Sequence, residues 1–325
     1  MLLYIFKRIL YAIPILIGVN LITFMLFFMV NSPDDMARAQ LGAKQITPKM
    51  IEAWKEERGY NRPLFLNESK DGIEKFTDTL FFQESLKLFL FDFGKSDSNR
   101  DIKEDIKSRV VPSLMVAVPT FIIGLGVNIS FALLLVVFRN SLLDRVAMVI
   151  AVMLMSISSL FYIIIGQVLF AKMWHWFPIS GYANGFSSLK FIVLPVLIGV
   201  FAGVGSTTRW YRSIFLEEIN KEYIKTARAK GLSEICIVFK HLLPNAMLPI
   251  LTGVVVVIPT LFMGSLIMES FFGIPGLGSY TIDAIRSQDF AIVKAMVFLG
   301  SFMYIVGLIL TDISYTIFDP RVKLK

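Results

Sequence analysis

Apolar and polar positions in this chain fall into long blocks. Six blocks are apolar and long enough to cross a bilayer: Ile9–Val30, Leu114–Phe138, Val146–Ala171, Phe191–Thr208, Ala246–Phe272 and Ala291–Phe318. A spanning helix needs about 20 largely apolar residues, because its backbone groups find partners only within the helix. The pattern therefore predicts an all-α integral membrane protein with six transmembrane helices. Pro14, Pro119, Pro195, Pro249 and Pro259 lie inside the blocks, where neighbouring segments can re-satisfy the carbonyls that a proline frees.

A polar stretch, 31–109, separates the first two blocks. Trp54, Tyr60, Phe65, Phe76, Phe81 and Phe82 give it apolar anchors, so it reads as a small ordered insert rather than a linker. Thr47-Pro48 suits a helix start, and Ile51, Trp54, Lys55 and Arg58 follow at helical spacing. Asn67-Glu68-Ser69 fits the glycosylation pattern, a match common by chance. The chain thus divides into 1–30 (N-terminus and first span), the insert 31–109 and a core 110–325, which contains a long loop, 209–245.

Composition removes other classes. Of 325 residues 55% are hydrophobic, the mean hydropathy is +0.68 and 18% are charged, against about 25% charged in soluble domains. Cys236 is the only cysteine, which excludes a disulfide scaffold and a cysteine zinc site. His175 and His241 are far apart and show no metal-ligand spacing. Lys7 and Arg8 before the first block resemble a signal-peptide n-region, and Ala37-Arg38-Ala39 a cleavage site, but the apolar run exceeds the roughly 7–15 residues of an h-region. It is expected to be retained.

Net charge +7 would suggest nucleic acid in a soluble protein; here it reports sidedness. With the N-terminus inside, one side holds Lys7, Arg8, Arg139, Arg145, seven Lys or Arg between Arg209 and Lys240, and Arg321, Lys323 and Lys325. The opposite short loops hold little beyond Lys172, Lys190 and Arg286. Lys and Arg in short loops mark the cytoplasmic face, so both termini are expected there. The insert, with 14 basic and 15 acidic residues, then lies outside.

The loop 209–245 is unusually patterned. Over Trp210–Lys230, Ile219, Tyr223 and Ala227 form one apolar stripe. Gly231 suits a helix end. Ser233 with Glu234 suits a second start, followed by Ile235, Val238, Phe239, Leu242 and Leu243 at helical spacing. Two readings fit: an amphipathic hairpin on anionic lipid, or two short helices that dock in a groove of a cytoplasmic partner.

The run Glu222-Tyr223-Ile224-Lys225-Thr226-Ala227-Arg228-Ala229-Lys230-Gly231-Leu232-Ser233 resembles the signature loop of binding-protein-dependent ABC transporter permeases, E-A-A-x3-G-x9-I-x-L-P. Ala227, Gly231, Leu243 and Pro244 match; Lys225, Thr226 and His241 depart from it. The Y-x-x-T-A-R-A-K-G-L-S form is similar to the oligopeptide/dipeptide (peptide/nickel) branch. Tyr4-Ile5-Phe6-Lys7-Arg8-Ile9-Leu10-Tyr11-Ala12-Ile13-Pro14, Asp92-Phe93-Gly94-Lys95-Ser96, Pro275-Gly276-Leu277-Gly278 and Asp319-Pro320-Arg321 resemble further segments of that branch in order.

The resemblance implies a type I ABC importer permease of six transmembrane helices in the bacterial cytoplasmic (inner) membrane, with a small extracytoplasmic insert. It also implies four partners: a second homologous permease, two ATPase subunits and an extracytoplasmic substrate-binding protein. The family's coupling helix maps onto Glu222, Tyr223, Thr226, Ala227, Arg228, Ala229 and Gly231, with Leu243 and Pro244 closing the motif. No residue is catalytic, no cofactor or metal is bound by this chain, and ATP and Mg2+ belong to the partners. Gly94-Lys95-Ser96 lacks the leading glycine of a phosphate-binding loop, since Phe89 stands there, and reads as a turn. Nickel complexes are the alternative cargo. An intramembrane enzyme or a passive channel is the alternative class, but neither histidine lies mid-span.

Further candidates carry structural and functional readings side by side. Gly199 and Gly203, with Gly205 nearby, offer a small face for helix packing. Glu269, Pro275, Gly276 and Gly278 are candidates for an outer gate. Glu269, Lys294 and Asp312 sit near span ends, where snorkelling to the interface is cheap. Trp174, His175 and Trp176 suit an aromatic belt. Met153, Met155, Ser156, Ser158 and Ser159 read either as packed interior or as an adaptable pathway lining.

Overall fold

A computed structural model describes residues 2–30, 32–42, 46–183 and 185–318. The regular elements of the described chain are all helices; its only β pairing is one bridge, Lys95 to Asp101. Two compact units divide it: Met1–Ser108 with Tyr280–Ile305, and Arg109–Ser279 with Val306–Lys325. The tail motif Asp319-Pro320-Arg321 and the charges Arg321, Lys323 and Lys325 lie outside the described residues.

The first unit begins with α1 (Leu2–Met25), whose last turns widen into a π-helix, Leu26–Val30. Three longer insert helices follow, α2 (Pro33–Leu41), α3 (Pro48–Arg58) and α4 (Leu80–Phe89), with a single helical turn, Glu74–Thr77, before the last. The start of α2 is set by a capping box between Ser32 and Asp35. The start of α3 is where Thr47-Pro48 predicts it, and Gly59 ends it in the left-handed region. The insert core joins Ile51, Trp54 and Leu80 to Phe24 and Phe28 of the first span. Asn67 is buried, and its side-chain amide donates to Asp78 at 3.0 Å, so the glycosylation match is a closed turn. Gly94-Lys95-Ser96, expected as a turn, leads into one: Gly94 is at φ +70°, Lys95 pairs with Asp101, and the turn itself lies at Asp97-Ser98.

The second span is part of a longer helix, α5 (Ile102–Val137), so helix begins before residue 109, where the insert was expected to end. Asp101 explains this: its carboxylate caps the first turn through the N–H groups of Lys103 and Glu104. The third span is broken into α6 (Leu142–Met155) and α7 (Ser159–Gly166), bent by 91°, and α7 continues as a π-helix, Gln167–Met173. The fourth span, α8 (Leu189–Ile219), runs past Thr208, and α9 (Glu222–Ala229) follows. The chain then forms Glu234–Ile237, a π turn Val238–Leu242 and α10 (Leu243–Val257) without a gap.

The fifth apolar block, predicted to reach Phe272, is not one helix. It tightens into a 3-10 turn, Ile258–Met263, and breaks at Gly264 (φ +66°) before α11 (Leu266–Phe272). Pro259 removes a backbone donor at that point, and Gly264 supplies a conformation other residues resist. Two helices complete the described chain, α12 (Leu277–Ser287) and α13 (Phe290–Phe318). Among the described residues five helices are long and apolar enough to cross a membrane, and six spans result if the bent α6–α7 pair counts as one.

Candidate functional site

The loop after the fourth span is built from the inside out. Asn220 and Lys221 interrupt the helix, so α9 starts afresh with Glu222 in its first turn, where a carboxylate favours the helix dipole. Ile224 and Ala227 are buried among Phe215, Ile219, Ile237, Val238 and Leu242. The opposite side presents Glu222, Lys225, Thr226 and Ala229, all exposed. Their spacing, i, i+3, i+4 and i+7, makes one face. Gly231, at φ +77°, turns the chain. Arg228 then forks onto Glu234, with Nε to Oε1 at 2.7 Å and a second nitrogen to Oε2 at 3.1 Å, clamping the two arms across that turn.

The first expected stripe holds: Ile219 and Ala227 are buried in one cluster, Tyr223 packs against it, and Ile224, beyond the break at Asn220, joins them. The second is corrected. Ile235 and Phe239 are 67% and 61% exposed; the Arg228–Glu234 clamp sets a rotation in which Ile237, Val238 and Leu242 face inward. Tyr223 is half-buried and its hydroxyl donates to Glu218 at 2.6 Å. Burial, and then that bond, push the Tyr223 hydroxyl well above its ordinary pKa. Leu243 is half-buried and Pro244 exposed where the helix re-enters the apolar block.

Around this loop the helices are tightly joined. The Arg212 guanidinium of α8 meets Asp144 of α6 through two bonds of 3.0 and 2.8 Å, and Asp144 also accepts from Asn140 N at 3.2 Å. Further along, a Cβ at Gly205 would lie 2.6 Å from the Ala151 carbonyl oxygen, so α6 and α8 touch backbone to backbone. Gly199 also packs closely, against Thr120. Gly203 does not: a Cβ there would meet only Thr207 of its own helix, at 3.8 Å. The small-residue face is therefore Gly199 with Gly205, since the register of the α6 contact selects Gly205. Thr208 and Asn128 share a buried hydrogen bond at 3.0 Å.

The second candidate group is a folded turn rather than a snorkelling carboxylate. Glu269 is 1% exposed. Its Oε1 accepts from Ser265 N at 3.2 Å and its Oε2 from Ser279 N at 3.1 Å, with Ser113 and Gly278 as further donors. Ser113 in turn accepts from Leu277 N at 2.8 Å. A Cβ at Gly264 or Gly276 would overlap the Glu269 carboxylate, and one at Gly278 would lie 2.6 Å from the Ser265 backbone. Gly276 and Gly278 are buried and Pro275 is exposed. The expectation that Glu269 reaches for the interface fails, because four donors already hold it inside.

Lys294 fails the same expectation in the other unit. It is buried, with Nζ 2.7 Å from Glu84 Oε2 and 5.0 Å from the Phe28 ring centroid. Asp312 is partly buried. Trp174 and Trp176 are exposed, with ring centroids 4.8 Å apart. Met153, Met155, Ser156, Ser158 and Ser159 are exposed, which removes the packed-interior reading within this chain. Among the described residues, no three His, Cys, Asp or Glu side chains group as metal ligands.

Comparison with known proteins adds the family. Residues 124–324 match the profile described as "Binding-protein-dependent transport system inner membrane component", and residues 1–81 the corresponding N-terminal profile. The chain belongs to this family. The permease is 31% identical to a Brucella abortus (strain 2308) protein that carries the provisional name of a peptide transport system permease protein, over 98% of both chains. It is 28% identical to an oligopeptide transport system permease protein of Bacillus subtilis (strain 168), over 98% of this chain and 99% of that one. Its identity to a glutathione transport system permease protein of Salmonella typhi is 29% over the whole of both. Sequence reasoning on the permease overlooked Asp144, Arg212, Ser113 and Gly264. Only Asp144 had a signal, the capping pair Ser141-x-x-Asp144 at the start of α6.

Proposed function

We propose that this permease is a transmembrane subunit of an ABC importer for peptides, and that it forms half of the translocation pathway. The peptide class rests on the names of its relatives. In this reading α9 is the coupling helix, the insert 31–109 lies outside the cell and both termini lie in the cytoplasm. A second homologous permease, two ATPase subunits that carry ATP and Mg2+, and an extracytoplasmic binding protein complete the machine.

The observation that carries this is the two-sided α9. Its inner face is sealed into the same apolar cluster as α8 and the start of α10. Its outer face offers Glu222, Lys225, Thr226 and Ala229 unobstructed. A short helix anchored to two spans cannot move without moving them, so a partner that grips the outer face can bias the membrane helices between two states. Glu269, Pro275, Gly276 and Gly278 then form the rigid outer end on which a gate closes.

Reconstitution tests the reading. The complex with both ATPases and the binding protein should hydrolyse ATP and accumulate a labelled tripeptide, whereas the chain alone should do neither. Replacing Ala229 with Trp should lower ATPase association and uptake by more than tenfold while leaving the permease folded. Unchanged assembly and uptake would remove the coupling role from α9. Uptake of a nickel complex in place of the peptide would redirect the cargo within the same family.

A further inference from the structure

The break in the third span is the feature that neither packing nor the family role accounts for. Helices α6 and α7 together are apolar enough to be one span, yet they meet at 91° through Ser156, Ile157 and Ser158. Asp144, held by Arg212, marks one end of the span. Twelve residues of helix at about 1.5 Å each place Ser156 about 18 Å further in, well inside a hydrocarbon layer about 30 Å thick. Part of the damage is repaired locally: Ser156 Oγ donates to Val152 O at 2.8 Å, and the Tyr162 hydroxyl to Leu154 O at 2.7 Å. Ser158 caps nothing with its side chain, and within the described chain neither its hydroxyl nor that of Ser159 is bonded.

Irregular backbone at membrane depth is found where it is buried in protein or lines water, not against lipid. Here it is exposed on this chain, along with three serines. Helix breaks of this kind also form solute sites in transporters. We propose that Ser156–Ser159 line the aqueous passage and hydrogen-bond the backbone amides of the passing peptide. This placement rests on the importer reading above. Hydroxyls and freed backbone groups recognise what every peptide shares, and the flexible, polarizable Met153 and Met155 beside them give an apolar wall that adapts to varied side chains.

Cys236 is the sole cysteine, so C236S supplies a clean background. Into it go single changes Ser158→Cys and Ser159→Cys, with Val149→Cys and Ile164→Cys as exposed apolar controls on α6 and α7. The assembled complex is first shown to take up tri-alanine; failure there counts against the peptide cargo and leaves the aqueous placement to be judged by labelling. A charged methanethiosulfonate sulfonate should label positions 158 and 159 at least tenfold faster than 149 and 164. Tri-alanine delivered by the binding protein should slow that labelling several-fold. Reaction only with a membrane-soluble maleimide, at the rate of the controls, puts the break in lipid and overturns the proposal. Disulfide formation with the second permease, with loss of labelling on assembly, makes it a subunit interface and also overturns it. Fast labelling that transported tri-alanine leaves unchanged overturns the peptide contact.

Discussion

Glu269 is a buried carboxylate and Glu84 a partly buried one, and the means by which each is held predict opposite responses to substitution. Glu269 is held by neutral donors, so Glu269→Ala strands the N–H groups of Ser265 and Ser279 at about 1–3 kcal/mol each. Glu269→Gln keeps an acceptor and should lose roughly half as much, read as the thermal midpoint of the detergent-solubilised chain. An equal loss in both variants would mean that packing, not acceptance, matters at this turn. Glu84 is held by charge. Burial alone would raise its carboxyl, but Lys294 and then Lys87 outweigh burial and keep it below the ordinary carboxylate range. A carboxylate with a depressed pKa adds stability above its unfolded value, and that stability fades as pH falls through the folded value. The native chain should therefore hold its stability down to about pH 5 and lose it below. Lys294→Met removes the partner and leaves a partly buried charge, at a cost of up to about 3 kcal/mol near neutrality. Its stability should rise on acidification as Glu84 takes up a proton, and thermal midpoints from pH 4 to 7.5 would show whether the slope reverses.

At the scale of elements, the sharpest contrast is between two glycines two residues apart. Gly205→Ala pushes a Cβ into the Ala151 carbonyl and should cost about 1–3 kcal/mol. Gly203→Ala faces open space and should stabilise α8 by up to about 1 kcal/mol. Fluorescence-detected size-exclusion chromatography after graded heating compares them, and equal behaviour would dismiss the backbone contact. The pair also shows what was legible in the sequence. That span four carries a small-residue face follows from glycine spacing, but which glycine meets a neighbour depends on the register of α6, a contact across more than fifty residues. The same division holds elsewhere. Thr47-Pro48, Ser233 and Gly231 announce helix ends locally, and the structure keeps them. The breaks at Ser156–Ser158 and Gly264 lie inside uniformly apolar blocks, where hydropathy is blind to backbone direction. Ser113 could not be foreseen as a partner of Leu277 and Glu269, because nothing local marks a serine whose acceptor and donor lie over 150 residues away. Ala227 is buried as its helical spacing predicts, but Ile224 joins that face only because the break at Asn220 resets the register of the helix.

For the whole molecule the Asp144–Arg212 pair constrains which side the basic loops occupy. That pair joins the start of α6 to the end of α8, so those two ends lie at one level. The bent α6–α7 pair must then cross once, and α8 must return. Arg139 and Arg145 consequently share a side with the seven basic residues between Arg209 and Lys240. Nine Lys and Arg on one face of a membrane protein predict that this face is the cytoplasmic one, since short basic loops resist translocation. The insert carries nearly balanced charge, so its composition does not oppose transfer outward. In the C236S background, Lys225→Cys in α9 and Lys95→Cys in the insert turn this into a measurement. An impermeant thiol reagent added to right-side-out vesicles should modify position 95 at once and position 225 only after the membrane is permeabilised. The reverse order would place the basic loops outside, and with them the face of α9 that an ATPase would have to reach.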